Sequence, residues 1–166
     1  MVRILWLWAV ALVMVGCSAG RPVIGDVALV GTDYPVAGEW PSRVELAADV
    51  DNAGGRVKLL RGRLRVSYDG RRVVVLTLER KVVIRGRESG QVVLPLRVSV
   101  ARSSQSLALR EALREGELER IGVDWQVAVR RGVAYAELEQ PMRPLGEVLD
   151  AAQREQLIEI LRSINE

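Results

Sequence analysis

The stretch that decides the fold is Arg56–Arg80, R-V-K-L-L-R-G-R-L-R-V-S-Y-D-G-R-R-V-V-V-L-T-L-E-R. Its first half alternates. Leu60, Leu64, Val66 and Tyr68 are expected to face inward, and Arg61, Arg63 and Arg65 outward. Period two with one polar face is the mark of a half-buried strand. Asp69-Gly70 then supplies a two-residue hairpin connection of type I′, because both central residues of that turn need positive φ. The return run, Val73-Val74-Val75-Leu76, is apolar on both faces. A strand of that kind is expected inside the sheet and covered on both sides.

The pattern extends in both directions. Upstream, Val44, Leu46, Ala48 and Val50 oppose Glu45, Asp49 and Asp51, and Asn52–Gly55 reads as a turn. Downstream, Val92, Leu94, Leu96, Val98 and Val100 alternate with Arg97 and Ser99. Pro95 has no N–H to give a ladder, so it is expected at an edge or a bulge. Ser104 or Ser106 is placed to start a helix running to about Glu115, with Leu109 and Leu113 on one face. A second hairpin follows. Val123, Trp125, Val127 and Val129 face one way, Arg131-Gly132 turns the chain, and Val133–Glu139 returns. Pro141 and Pro144 are expected to end regular structure, and 146–164 reads as an amphipathic helix. Short strands separated by turns indicate an all-β antiparallel sandwich with an added C-terminal α-helix.

The chain's single cysteine, Cys17, follows the apolar run Ile4–Val15, which has Arg3 in front of it. That run is too short to cross a bilayer, which takes roughly 17–25 residues. A charged start and apolar middle describe a secretory signal. Met14-Val15-Gly16-Cys17 resembles the lipobox of bacterial lipoproteins, with Met14 where leucine is usual. The resemblance implies diacylglycerol on the Cys17 sulfur and cleavage before it. It also implies a membrane partner through the lipid anchor and a place in the cell envelope. Ser18 is not the aspartate that retains many such proteins in the inner membrane, so an outer-membrane site facing the periplasm is expected. The expected organisation is 1–16 signal, 17–21 tether, 22–140 sandwich, and 141–166 a Pro-containing linker and helix. With Cys17 acylated, no thiol is left for a disulfide or a nucleophile.

Composition narrows the chemistry. The chain has no His, which excludes Ser-His-Asp triads, Cys-His pairs and His-based metal sites. No Gly-rich phosphate loop is present. Neither a cofactor nor a metal site is indicated. A two-carboxylate glycosidase site remains open to any chain with 21 Asp and Glu, so it carries little weight. There is no Phe, and Trp40 and Trp125 are expected in core or rim packing. The formal net charge of +3 falls to +2 once Arg3 leaves with the signal. The cations crowd between Lys58 and Arg87, and nucleic acid is not an expected partner in the envelope. Arg61, Arg63 and Arg65, about 6.6 Å apart along a strand, are the candidate contact for anionic lipid or an acidic partner. The competing reading is a solvated outer face.

Three segments carry a further resemblance. They are Val50-Asp51-Asn52-Ala53, Tyr68-Asp69-Gly70 and Leu94-Pro95-Leu96-Arg97-Val98. Over roughly 22–140 the chain resembles the group 2 late-embryogenesis-abundant proteins, also called the water-stress and hypersensitive-response domain. Ala53 stands where that family favours Pro. The resemblance implies an immunoglobulin- or fibronectin-III-like β-sandwich without catalytic residues or cofactor. The expected function is a tethered binding, structural or stress-protection module. The alternatives are a carboxylate-dependent envelope enzyme and a subunit that docks a protein partner through its C-terminal helix.

Overall fold

The computed structural model describes residues 22–35, 40–101 and 104–148. Eight strands form one antiparallel sheet: β1 (Pro22–Asp33), β2 (Arg43–Asn52), β3 (Val57–Tyr68), β4 (Arg71–Leu78), β5 (Val82–Ile84), β6 (Glu88–Val100), β7 (Ile121–Arg131) and β8 (Ala134–Pro144). Helix α1 (Ser104–Glu115) and a short 3-10 turn (Leu118–Arg120) lie between β6 and β7, and α2 (Leu145–Val148) follows β8. The strand order is β1-β2-β6-β4-β3-β7-β8, with β5 beside β4 on the same edge of β3. The class is all-β antiparallel, as expected. Hydrogen bonding is continuous from β1 to β8, so the sheet curls around one core.

That core takes its side chains from β2 to β7 and from the helices. Leu46, Leu59, Leu64, Leu96, Leu109, Ile121 and Leu145 are fully buried. Val44, Leu46, Ala48 and Val50 of β2 and Leu94, Leu96 and Val98 of β6 are all buried, as their alternation requires. Helix α1 starts at Ser104 and buries Leu109, Ala112 and Leu113 against the sheet. Trp125 is in the core, with its indole N–H donated to Gln140 Oε1 at 3.0 Å. Trp40 packs at the rim, where the Arg110 guanidinium lies 5.6 Å from its ring centroid.

The Asp69-Gly70 hairpin has Tyr68 opposite Arg71 and positive φ at both central residues, 47° and 76°, which is the type I′ pattern. Arg120 braces it with two hydrogen bonds to the Asp69 carboxylate, and lies 4.7 Å from the Tyr68 ring centroid. The hydrogen bonds and charge of Arg120 hold the Asp69 carboxyl below its ordinary range. Its stabilising contribution is therefore complete at neutral pH and fades as pH falls through the carboxylate range.

Several expectations need correction. Leu59, not Leu60, faces the core, because a bulge between Leu59 and Arg61 shifts the alternation of β3. A second bulge opposite Val66/Ser67 buries Val73 and Val74 together, while Val75 and Thr77 are only half-covered. Strand β4 is thus interior to the sheet, yet not covered on both faces along its length. Pro95 is neither on an edge strand nor at a bulge: it lies in β6, between β2 and β4. It sits one residue beyond the last β4 rung, Leu78 opposite Leu96, where its carbonyl still accepts the Glu79 N–H at 3.0 Å. Its missing donor therefore costs the ladder only a terminal bond. Pro141 and Pro144 do not end regular structure. Strand β8 runs on to Pro144 because it is an edge strand with a register shift there, and both features tolerate proline. Strands β1 and β5 have no counterpart in the alternation of the sequence. Beyond Val148, the expected C-terminal helix lies outside the described residues.

The buried joint of the molecule is Asn52, at 0% exposure. Its amide nitrogen donates to the carbonyls of Gly55 (3.1 Å) and Arg85 (2.7 Å), and its Oδ1 accepts the Gly54 N–H (3.1 Å). Gly54 O also accepts the Arg87 N–H at 3.0 Å. A Cβ on Gly86 would stand 2.7 Å from Gly54 O and Arg56 N, so the 85–87 turn packs directly on the 52–56 turn.

Three outcomes are expected in urea denaturation. Leu96→Ala, at a site 1% exposed, lowers stability by about 2–5 kcal/mol. Arg97→Ala next to it costs at most about 1 kcal/mol, because its pair with Glu79 is exposed. Asn52→Ala removes three hydrogen bonds made by a buried side chain, with a loss of about 1–3 kcal/mol. An Asn52→Ala midpoint equal to wild type would show that the two turns are held by other contacts.

Candidate functional site

Arg61, Arg63 and Arg65 share the outer face of β3, as expected, but the structure gives them three different roles. Arg61 reaches across the small side chain of Ala128 on β7 to β8, a route set by the register Arg61–Ala128–Glu137. There its guanidinium donates to Glu137 Oε1 (2.8 Å) and to the Tyr135 hydroxyl (3.0 Å). The Tyr135 hydroxyl donates in turn to Glu137. These partners raise the Arg61 pKa further, so the group stays cationic at any physiological pH. Arg65 lies directly opposite Asp124 on β7, and its Nε donates to the Asp124 carboxylate. Asp124 is 7% exposed, the single buried carboxylate among the described residues. Arg63 is exposed and forms no ion pair among the described residues. It lines a shallow cleft of about 260 Å³ with Arg61, Thr77, Gln126 and Glu137. The three arginines therefore do not form one cationic cluster. One bridges β3 to the edge strand β8 at the surface, one is neutralised, and one faces solvent.

A denser cationic site lies at the end of the sheet where the β2–β3, β5–β6 and β7–β8 turns meet. Arg56, Lys58, Arg130 and Arg131 line a cleft of about 500 Å³ with Gly55 and Gly132. Strand pairing puts Lys58 directly opposite Arg130 and Val57 opposite Arg131. Like charges face to face across a ladder are destabilising. Arg130 is held by a hydrogen bond from its Nε to Gly132 O at 3.0 Å. The hairpin connection is Gly132-Val133, one residue later than expected, with Arg131 opposite Ala134 and Gly132 at φ 59°. Glycine with positive φ at the first central position is the II′ pattern. It leaves Val133 at the tip, 97% exposed. Lys58 stands out in the sequence as one of the crowded cations, but the cleft does not. Arg130 and Arg131 are more than seventy positions from Arg56 and Lys58, and only the β3–β7 pairing brings them together.

The carboxylates do not converge. Asp49 and Asp51 lie on the outer face of β2, where Asp51 accepts from the Ser89 hydroxyl at 2.8 Å. Asp69 pairs with Arg120, and Glu79 bridges Arg43 (3.0 Å) and Arg97 (3.5 Å). Among the described residues no group of three or more acidic, His or Cys side chains is placed to share a metal ion. The described helices include none long and apolar enough to cross a membrane.

The three arginines are expected to separate on substitution. Arg65→Gln leaves the buried Asp124 carboxylate without its cation and lowers stability by about 1–3 kcal/mol. Arg63→Gln changes it by less than about 0.5 kcal/mol. Thermal melts of the two variants check this, and equal losses would contradict the division of roles.

No protein-family model matches the chain, and no curated protein matches it. Among solved structures it is similar to a protein from Archaeoglobus fulgidus, with 13% identity and a TM-score of 0.45 over 72% of this chain and 92% of that one. It is also similar to a FixG-related protein from Vibrio parahaemolyticus, with 13% identity and a TM-score of 0.29 over 77% of this chain and 97% of that one.

Proposed function

We propose that this chain is a lipid-anchored protein of the bacterial envelope, and that its β-domain is a non-enzymatic binding or structural module. The observation that carries the reading is the position of Cys17 relative to the first strand. Cys17 closes the apolar run, and Pro22, five residues on, is already paired with Asn52 in the first rung of β1. An acylated Cys17 then holds a rigid sheet on a very short leash, with two acyl chains supplying stable attachment where one is marginal. The carboxylates considered for an enzyme are tied into separate ion pairs and strand faces, which favours a module that binds or braces over one that catalyses.

The test is the chemistry of Cys17. Mass spectrometry of the protein from the membrane fraction is expected to find a chain starting at Cys17 with diacylglycerol on its sulfur. Cys17→Ala is expected to leave the precursor uncut. A free thiol on Cys17 in the mature chain would overturn the proposal.

A further inference from the structure

The strand register places the beginning of the domain and the cationic cleft at one end of the sheet. Pro22 pairs with Asn52, and Asn52 pairs with Glu88 at the start of β6. Asn52 is hydrogen-bonded to Gly55 and Arg85, and a Cβ on Gly55 would lie 3.8 Å from Arg131 Nε. The turns 52–56, 85–87 and 131–134 are therefore contiguous, and β1 begins beside them. Residues 18–21 separate Cys17 from Pro22. Even a fully extended chain of that length reaches only about 18 Å. A lipid on Cys17 therefore keeps this end of the sheet within that distance of the headgroups.

The composition of this end suits such a surface. Arg56, Lys58, Arg85, Arg87, Arg130 and Arg131 gather at this end, where the carboxylates of the described residues include Asp51 and Glu88, and Glu88 is 3.8 Å from Arg85. The same end exposes aliphatic side chains: Val133 at the hairpin tip, Val83 opposite Lys58, and Val23 opposite Asp51 on the second rung of β1. Folding accounts for neither feature. The Lys58–Arg130 juxtaposition costs stability, and a β-branched apolar residue at a fully solvated hairpin tip buries nothing. An anionic interface removes both costs. Phosphate oxygens accept from the guanidinium and ammonium donors, and the valine tip leaves water for the boundary between headgroups and acyl chains.

We propose that the end of the sheet carrying Arg56, Lys58, Arg130 and Arg131, with Val133 at its tip, docks on the anionic phospholipid headgroups of the membrane that holds the anchor. This rests on the lipid-anchor reading of Cys17. It moves the anionic contact from the outer face of β3, where Arg61 and Arg65 are already engaged, to the sheet end nearest the tether. Docking fixes the orientation of the domain, turning the Asp69-Gly70 end and α1 away from the bilayer.

The test uses the full chain with Val133→Cys, purified from membranes, labelled with a polarity-sensitive thiol fluorophore and reconstituted in nanodiscs. The discs contain phosphatidylcholine alone or phosphatidylcholine doped with phosphatidylglycerol. One label per chain is expected, because acylation blocks Cys17. Its emission is expected to shift to the blue in the anionic discs at about 0.1 M salt and to revert at about 1 M, where the screening length is only about 3 Å. A label at Arg72→Cys, beside the Asp69-Gly70 turn, is expected to stay in water in both discs. Replacing Arg56, Lys58, Arg130 and Arg131 by Gln is expected to weaken docking by about fivefold per charge. Two labels per chain would mean that Cys17 is free, and the anchor reading fails. One label with no blue shift, or an equal shift in neutral and anionic discs, overturns the docking surface and leaves the anchor standing. A shift induced by soluble polyglutamate but not by phosphatidylglycerol reassigns the surface to an acidic protein and equally overturns it.

Discussion

One buried amide holds together the end of the molecule on which everything else depends. Asn52 terminates β2, closes the turn into β3, and binds the carbonyl of Arg85, thirty-three residues away. All three of its bonds are made to backbone, so the arrangement does not depend on which side chains decorate the turns. It gives the neighbouring chain reversal no room to move, as the tight seat of Gly86 shows. The position calls for a side chain with both donor and acceptor, since an apolar residue would take the donor from the Arg85 carbonyl and the acceptor from the Gly54 N–H together. The consequence reaches beyond stability. The same joint aligns the first rung of β1, the start of β6 and the tip of the β7–β8 hairpin.

The arginines show how one residue type is put to different uses by its place in the register. Arg65 neutralises the carboxylate that the sheet buries, and Arg120 braces a hairpin through Asp69 and the Tyr68 ring. Arg43 and Arg97 share Glu79. At the far end of β3 and β7 the pairing runs the other way, with cation opposite cation. Local rules tend to be broken where a site is maintained for something other than folding. The net charge of the chain is small, so the field at its surface is set by this placement of cations relative to carboxylates and not by total charge.

The bulges are the second constraint on the architecture. A curled sheet needs local twist, and an extra residue in one strand supplies it. The bulge at Leu60 keeps Val57 and Leu59 in the core at one end of β3 and Leu64 and Val66 in the core at the other. It also brings Arg61, Arg63 and Arg65 onto the outer face. The two register shifts in β1 and the one that accommodates Pro141 and Met142 in β8 do the same for the outermost strands.

Much of this was legible in the sequence. The all-β class, the core faces of β2 and β6, the type I′ turn at Asp69-Gly70, helix α1 and the β7 core face all follow from local periodicity and turn chemistry, which act between near neighbours. Wherever an inserted residue breaks the period, the reading slips. The period alone points Leu60 inward for that reason, and β1, with register shifts at Gly25-Asp26 and at Val30, shows no alternation to find. The continuation of β8 through its prolines and the interior position of Pro95 are not legible locally, because strand order decides whether a missing N–H matters, and strand order is a property of the whole sheet. The candidate site divides in the same way. The shared face of Arg61, Arg63 and Arg65 is visible in their spacing, but their partners are not, because Glu137, Tyr135 and Asp124 come from strands 59 or more residues away. The facing of Lys58 and Arg130, and their position beside the start of β1, is decided only by long-range strand pairing, which no local window of sequence contains.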